Sequence, residues 1–340
     1  MKNAVILFNL GGPDSLNAVE PFLFNLFNDP AIISLPKIIR YPLAKFISKR
    51  RTPVAKAIYA EMGGKSPILE ETQRQSDAIE EALKQEIDEY KCFIVMRCWY
   101  PRAKEVVKKV KIFNPQQIIL LPLYPQYSNA TSGSSIKEWT DICVQEKVNI
   151  KTKTICCYPT EKNFILSYAN LIKEKINLRK LYNITLIFSA HGLPENKIKK
   201  GDPYQWQVEN TVKHLVTKLS IKNLNYILSY QSRVGPLKWI GPSTETIIKE
   251  EAKKKKIIIV VPVAFVSEHS ETLVELDIEY KKLAVENGCK DYIRVPAVTA
   301  NQDFINSLKS SILLAGDGDF FTSSIRCPDK FKKCPRLQNI

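Results

Sequence analysis

Four glutamates, Glu268, Glu271, Glu275 and Glu279, follow one another at intervals of three, four and four residues. On a helix that spacing gathers all four carboxylates on one face. Like charges so placed destabilise the helix unless solvent, a cation or a proton relieves them. A solvated helix edge would meet that demand, and so would a site that handles a cation. The chain has three histidines, His191, His214 and His269. His214 lies inside a helical pattern and reads as a packing or surface residue. His191 follows the apolar run 184–189 and precedes Gly192-Leu193-Pro194, so it stands in a sharp turn at a strand end. His269 sits beside the first carboxylate. Imidazole binds metals or moves protons near neutral pH. With carboxylate oxygens it suits a divalent cation such as Fe²⁺, held loosely enough to be released. His191 and the acidic helix 268–279 are therefore expected to form one metal-handling site.

Other elements must carry these groups to one place. Eight short apolar runs, at 4–8, 93–97, 118–123, 152–156, 184–189, 226–229, 257–263 and 292–295, read as strands. Amphipathic stretches at 68–85, 102–113, 161–177, 205–218, 244–253, 272–287 and 302–315 read as helices. Strands that are apolar almost throughout belong to parallel sheets covered by helices on both faces. The uneven spacing and the long insertion 14–63 favour two open sheets over one closed barrel. A composition shift near residue 150 divides the chain into a first lobe, 1–150 plus a returning 302–340, and a second lobe, 151–301, that carries His191 and the acidic helix. Ligands of open α/β sheets sit beyond the carboxyl ends of the strands. The unusual residues fall there, at 10–13, 97–101, 124–135, 191–194, 231–236 and 265–271, which points to an enzyme cleft between the lobes.

Several function classes are excluded. The formal charge of +15 comes from scattered lysines, without zinc-finger spacing, a helix-turn-helix or an aromatic-basic motif, so no nucleic-acid partner is expected. Eight cysteines without close, even spacing make no disulfide scaffold, and the apolar start at 4–8 runs into Gly11-Gly12-Pro13 as a buried strand and turn, not an export signal. No apolar stretch approaches the roughly 20 residues that span a bilayer. A cytoplasmic protein with reduced thiols is expected. Gly11-Gly12-Pro13 is not a dinucleotide fingerprint and Gly63-Gly64-Lys65-Ser66 lacks the spacer of a phosphate loop, so no nucleotide is required. The hydroxyl-rich stretch 131–135 after Tyr124 and Tyr127 could cap a helix or receive an anionic group such as a carboxylate. Residues 32–51 mix Ile38, Ile39, Leu43, Phe46 and Ile47 with Lys37, Arg40, Lys45, Lys49, Arg50 and Arg51. They read as a basic helix with a packed face, or as a lip in peripheral contact with an anionic membrane.

The ordered set of short motifs is more specific than any one of them. It comprises Leu7-Phe8-Asn9-Leu10-Gly11-Gly12-Pro13, Gly64-Lys65-Ser66-Pro67-Ile68, Leu121-Pro122-Leu123-Tyr124-Pro125-Gln126-Tyr127-Ser128 and Ser189-Ala190-His191-Gly192-Leu193-Pro194. It continues with Gly201-Asp202-Pro203-Tyr204, Tyr230-Gln231-Ser232-Arg233-Val234-Gly235-Pro236, Trp239-Ile240-Gly241-Pro242 and residues 265–273. Together, over nearly the whole chain, they closely resemble ferrochelatase, the lyase that inserts Fe²⁺ into a porphyrin in haem biosynthesis.

The resemblance implies two Rossmann-like lobes, each a parallel sheet flanked by helices. It places the metal and catalytic site on His191 and Glu271, and a proton or metal path on Glu268, His269, Glu275 and Glu279. It places porphyrin contacts on Leu10, Arg97, Tyr124, Tyr204, Trp239 and Phe265, and implies a π-type widening of the site helix. Fe²⁺ is then a substrate, and protoporphyrin IX and coproporphyrin both fit. The chain departs from some relatives at Cys98, where they carry tyrosine. Some members hold a [2Fe–2S] cluster, but the tail supplies only Cys327 and Cys334, with Cys156-Cys157 far away in sequence. Four thiolates are normally needed, so no cluster is expected. A chelatase for another metal such as Co²⁺, or a porphyrin carrier, would share much of the pocket; the acidic ladder argues for turnover over carriage.

Overall fold

The structure, a computed structural model, describes residues 1–176, 183–232, 237–318 and 321–337. The expected loop residues 233–236, and the end of the expected helix at 177, lie outside the described residues. The chain divides into two units. The first is Met1–Tyr124, Ser128–Cys156 and Leu308–Ser323; the second is Pro125–Tyr127, Cys157–Ser307 and Ser324–Ile340.

The first unit is built on β1 (Lys2–Asn9), whose residues from Asn3 onward are buried. It pairs in parallel with β2 (Glu89–Met96) on one side and β3 (Gln117–Pro122) on the other, Val5 lying opposite Cys92 and Ile119. β4 (Lys151–Cys157) and the short β9 (Phe321–Ser323) complete a sheet ordered β2-β1-β3-β4-β9. Alternate residues of a strand share a face, and Ala4, Ile6 and Phe8 join Phe93, Val95, Ile118 and Leu120 there. Val106, Val107 and Val110 of α4 (Ala103–Phe113) and Trp139 of α5 (Ser132–Gln145) cover them. Each large side chain so buried contributes roughly 1.5–3 kcal/mol. Behind β1, Asn9 Nδ2 donates to Thr72 of α3 (Ile68–Leu83) at 3.0 Å. The turn after β1 explains the glycine pair: Gly11 has φ +83°, and a Cβ on Gly12 would lie 2.5 Å from the Ser66 side chain. Ser66 N donates to Pro13 O at 2.8 Å, so two of the sequence motifs meet as a packed turn.

The second unit holds four parallel strands in the order β6-β5-β7-β8: Tyr226–Gln231, Ile184–His191, Ile257–Pro262 and Asp291–Arg294. On one face Ile187, Ile258, Val260 and Tyr292 pack against Ile247, Ile248 and Ala252 of α9 (Thr244–Lys253) and against Leu276 and Ala284. α6 (Lys162–Ile176), the short α7 (Glu195–Lys199) and α8 (Tyr204–Leu219) also belong to this unit. His191 ends β5 directly opposite Gln231, which ends β6.

All eight expected strands are present, and the two parallel sheets flanked by helices follow the expectation. Three details differ. The division falls at 156/157, where β4 completes the first sheet, and the tail from Ser324 groups with the second unit instead of the first. β9 was not expected, being three residues long. The basic segment forms part of α2 (Lys37–Ala60), which packs beside α1 (Val19–Phe27). The face α2 buries is Ala44, Ser48, Thr52 and Tyr59, whereas Ile38 is 88% and Phe46 62% exposed. Small residues four apart let the backbone approach its neighbour, and the large apolar side chains are left outside.

Glu251 of α9 is buried beneath β5. It accepts from Thr185 Oγ1 at 2.7 Å and pairs with Lys254 and, at 3.2 Å, with Lys256. Burial alone would raise its pKa, but these donors pull it down to about 2. A carboxylate whose folded pKa lies below its unfolded one adds stability above the ordinary carboxylate range and loses it as pH falls towards the folded value. Glu251→Gln is expected to cost about 1–3 kcal/mol at pH 7. The gap from the parent should close as denaturation is followed down from pH 5 to pH 2; a gap that stays constant would refute the linkage.

Candidate active site

Three elements of the second unit set the site: the carboxyl ends of β5 and β6, and the segment after β7. Tyr168 Oη donates to Pro262 O at 2.8 Å and also to Phe265 O, which fixes the turn out of β7. His269 N donates to Thr272 Oγ1 at 2.9 Å, and that hydroxyl donates back to His269 O at 3.0 Å. From this knot the chain enters a π-helix, Glu271–Glu279, which passes into α10 (Tyr280–Glu286). The expected helix 272–287 is thus present but wider over its first half, as the resemblance implied. Bonding from i to i+5 loosens each turn and recurs at functional sites.

His191 Nδ1 lies 2.8 Å from Glu271 Oε2. Its backbone is held too, because Tyr204 Oη donates to His191 O at 3.0 Å. The imidazole is 39% exposed, so one part of the ring is braced and another is open. Burial acts to lower its pKa, but the Glu271 carboxylate outweighs burial and, with Glu275 behind it, holds the histidine above its ordinary value. Burial would likewise raise Glu271; the charge of His191 overcomes it, with His269 and the Ser232 hydroxyl assisting, and holds Glu271 well below the usual range. Glu275 moves the other way, raised by burial and by the charge of Glu271. Two carboxylates four residues apart are thus driven to opposite protonation tendencies, an arrangement suited to passing protons and to binding a cation without locking it in place. His269 is pushed down by burial and packs against Phe265, ring centroids 4.7 Å apart.

Not all of the acidic ladder lies together. Glu268 precedes the helix and turns to Arg294, 2.8 Å away, and to the Ala297 amide at 3.0 Å. It does not share the face of Glu271 and Glu275. Arg294 also binds Asp277 at 2.8 Å. Glu279 is exposed at the far end of the π-helix. Among the described residues no group of three or more potential ligands stands at metal-binding spacing. His214 is exposed, with Nδ1 on the Asn210 carbonyl of its own helix.

The expected porphyrin contacts divide between the units. In the first, Leu10 is half-buried against the cluster of Val19, Phe22 and Leu23. Arg97 spends its guanidinium on the protein: Nε donates to Ser134 at 2.7 Å, and Nη1 and Nη2 meet Glu138 at 3.2 Å and Asp29 at 2.9 Å. The hydroxyl-rich start of α5 does receive a carboxylate, the protein's own Asp29, to which Ser134 Oγ donates at 2.6 Å. Tyr124 is half-buried, its phenol pushed well up by burial. Cys98 is fully buried in the α1–α2 cluster, where burial raises its thiol to about 12. In the second unit Phe265 and Trp239 are half-buried, while Tyr204 is buried with its hydroxyl on His191.

The thiols form a separate group. Gln207 Nε2 approaches Cys157 Sγ at 3.3 Å and Cys327 Sγ at 3.2 Å, and a hydrogen bond with Cys334, together with burial, raises the Cys327 thiol well above its ordinary value. Folding therefore does bring Cys157 to the tail cysteines.

Sequence reasoning placed Gln231 and Ser232 at a strand end without a role, and gave none to Tyr280 or Arg294. Glu275 accepts from Ser232 N at 3.1 Å, Ser232 Oγ at 2.6 Å, Gln231 Nε2 at 3.3 Å and Tyr280 Oη at 2.8 Å. The Tyr280 ring packs on the core of the second unit while its hydroxyl serves the acidic face. A polar Gln-Ser pair closing the strand beside His191 was the available signal, as was a lone arginine closing β8.

A family model described as Ferrochelatase matches residues 2–314. Similar proteins include the ferrochelatase of Pelagibacter ubique (strain HTCC1062), 64% identical over 99% of each chain. That of Rickettsia bellii (strain OSU 85-389) is 51% identical over 97% of this chain and 94% of its own. Among solved structures, SirB from Bacillus subtilis with Fe³⁺ is similar at a TM-score of 0.55 and 12% identity, covering 94% of this chain and 100% of that one, a likeness of fold alone.

The different settings of Glu268 and Glu279 can be told apart by stability. Removing one partner of a buried ion pair costs roughly 3–5 kcal/mol, and exposed substitutions stay within about 0.5 kcal/mol. Glu268→Ala should lower the unfolding free energy in urea by about 3 kcal/mol, and Glu279→Ala should leave it unchanged. Equal effects would contradict the Arg294 anchorage.

Proposed function

The chain belongs to the ferrochelatase family, and from that membership we propose that His191 and Glu271 carry its reaction. The enzyme is a lyase that inserts Fe²⁺ into a porphyrin, releasing two protons, in haem biosynthesis; protoporphyrin IX and coproporphyrin both suit that chemistry. The observation that supports the assignment is the 2.8 Å contact between His191 Nδ1 and Glu271 at the carboxyl end of β5.

Insertion removes two pyrrole N–H protons and exchanges the water around Fe²⁺ for ring nitrogens. With Nδ1 engaged by Glu271, His191 has Nε2 left for the substrate. That nitrogen accepts a pyrrole proton or meets the metal, and Glu271 balances the charge that arises. Glu271, Glu275 and Glu279 then form the path by which protons leave or iron arrives, with His269 beside its inner end. Glu268, neutralised by Arg294, fixes the turn carrying His269. Leu10, Tyr124, Trp239 and Phe265 supply apolar and aromatic contact for the macrocycle, while Tyr204 and Arg97 act from behind, through His191 and through Asp29 and Glu138. A carrier of porphyrin or haem would have no use for the carboxylates Glu271 and Glu275 held beside His191, which favours turnover. The test is an anaerobic insertion assay with Fe²⁺ and each porphyrin. His191→Ala should lose at least about 100-fold in kcat with its circular dichroism unchanged; near-normal turnover would remove His191 from the mechanism.

A second observation favours a peripheral membrane contact for this otherwise cytoplasmic enzyme. No helix among the described residues is long and apolar enough to cross a membrane. On α2, however, Ile38, Ile39 and Phe46 are exposed among Lys37, Lys45, Lys49, Arg50 and Arg51. Apolar side chains within a basic surface bind anionic lipid by insertion and charge together. Phe46→Glu should weaken co-sedimentation with phosphatidylserine liposomes; binding indifferent to anionic lipid and to salt would refute the contact.

A further inference from the structure

Ser232 closes the strand end opposite His191 with φ +59°, in the left-handed region that side chains rarely adopt. Such a conformation persists only where the surroundings over-determine it. Here they do. The Ser232 amide and hydroxyl both donate to Glu275, at 3.1 and 2.6 Å, and the same hydroxyl lies 3.2 Å from Glu271 Oε2. That oxygen is the one His191 Nδ1 meets at 2.8 Å. The anchorage extends down into the sheet. Glu275 is held by Gln231, whose Oε1 accepts from Ser189 Oγ at 2.6 Å, and Ser189 and Ser229 meet Thr244 Oγ1 at 3.0 and 2.9 Å. Ser189, Ser229 and Thr244 are fully buried.

We infer that Ser232 is a positioning residue for metal insertion: its hydroxyl bridges Glu271 and Glu275 and fixes the Glu271 oxygen that faces His191. The inference rests on the assignment of His191 and Glu271 to the reaction. A carboxylate on a side chain with three rotatable bonds has many ways to face an imidazole, and the bridge selects one. The left-handed backbone is what aims the hydroxyl between two residues of a widened helix. A residue needed only for the turn would have no use for the hydroxyl, and glycine would serve the turn better, since it adopts positive φ without steric cost.

Ser232→Gly and Ser232→Ala in the full chain separate these roles, with His191→Ala as the control. Both kcat and the KM values for porphyrin and Fe²⁺ are measured anaerobically, together with Tm. The bridge predicts that Ser232→Gly lowers Tm less than Ser232→Ala does and leaves the porphyrin KM unchanged, while kcat falls roughly 10- to 100-fold, the scale of a misplaced reacting group. Ser232→Ala should lose both kcat and Tm. Wild-type kcat in Ser232→Gly, beside an inactive His191→Ala, would overturn the bridge alone. Retained turnover in His191→Ala would overturn the assignment of the pair, and the bridge with it.

Discussion

A carboxylate taken out of water must find donors or give up its charge, and Glu275 finds them in Ser232, Gln231 and Tyr280. Much of the second unit is arranged around that need. Gln231 can reach because β6 ends in register with β5. Tyr280 can reach because the π-helix widens before passing into α10. Ser232 can reach because its backbone turns left-handed. With Glu275 satisfied by neutral groups, Glu271 is left to His191, and the pair sits at a strand end that is braced from beneath yet open above.

The treatment of the arginines makes the same point by contrast. Arg97 in the first unit and Arg294 in the second each lie near a strand end, and each is consumed by two carboxylates, Asp29 and Glu138 in one case, Glu268 and Asp277 in the other. Buried charges of this kind are tolerated when paired and hydrogen-bonded. The counter-charge that Glu271 meets is instead the nearby imidazole of His191, a group that can come and go near neutral pH.

The strands were legible because a parallel sheet buries both faces, so 4–8, 118–123, 184–189 and 257–263 read as continuous apolar runs. His191 was legible for the same reason, as the first polar residue beyond such a run. Three-residue β9 carries too little pattern to register, and α2 misleads because its packed face is Ala44, Ser48 and Thr52 while its large apolar residues face outward. Glutamate spacing located the pair Glu271 and Glu275 but overstated the ladder. Helical periodicity assumes one uniform helix, whereas Glu268 lies before it, and the partner that draws it away, Arg294, comes from β8. The supports Ser232 and Tyr280 were hidden because a hydroxyl declares its partner only when tertiary structure brings one within reach.

The order in which the chain visits its units bears on how it is made. β4 is complete midway through synthesis, yet its outer neighbour, β9, and the Gly318 carbonyl that Lys153 binds come from near the end of the chain. α11 (Gln302–Asp317) supplies residues to both units, and the tail from Ser324 returns to the second. Neither unit is thus a continuous stretch that could finish folding while the rest is still on the ribosome. Until β9 emerges, the growing sheet keeps the outer edge of β4 unpaired, the kind of surface on which chains associate wrongly. A fold that works as two sheets is, for the ribosome, a single unit.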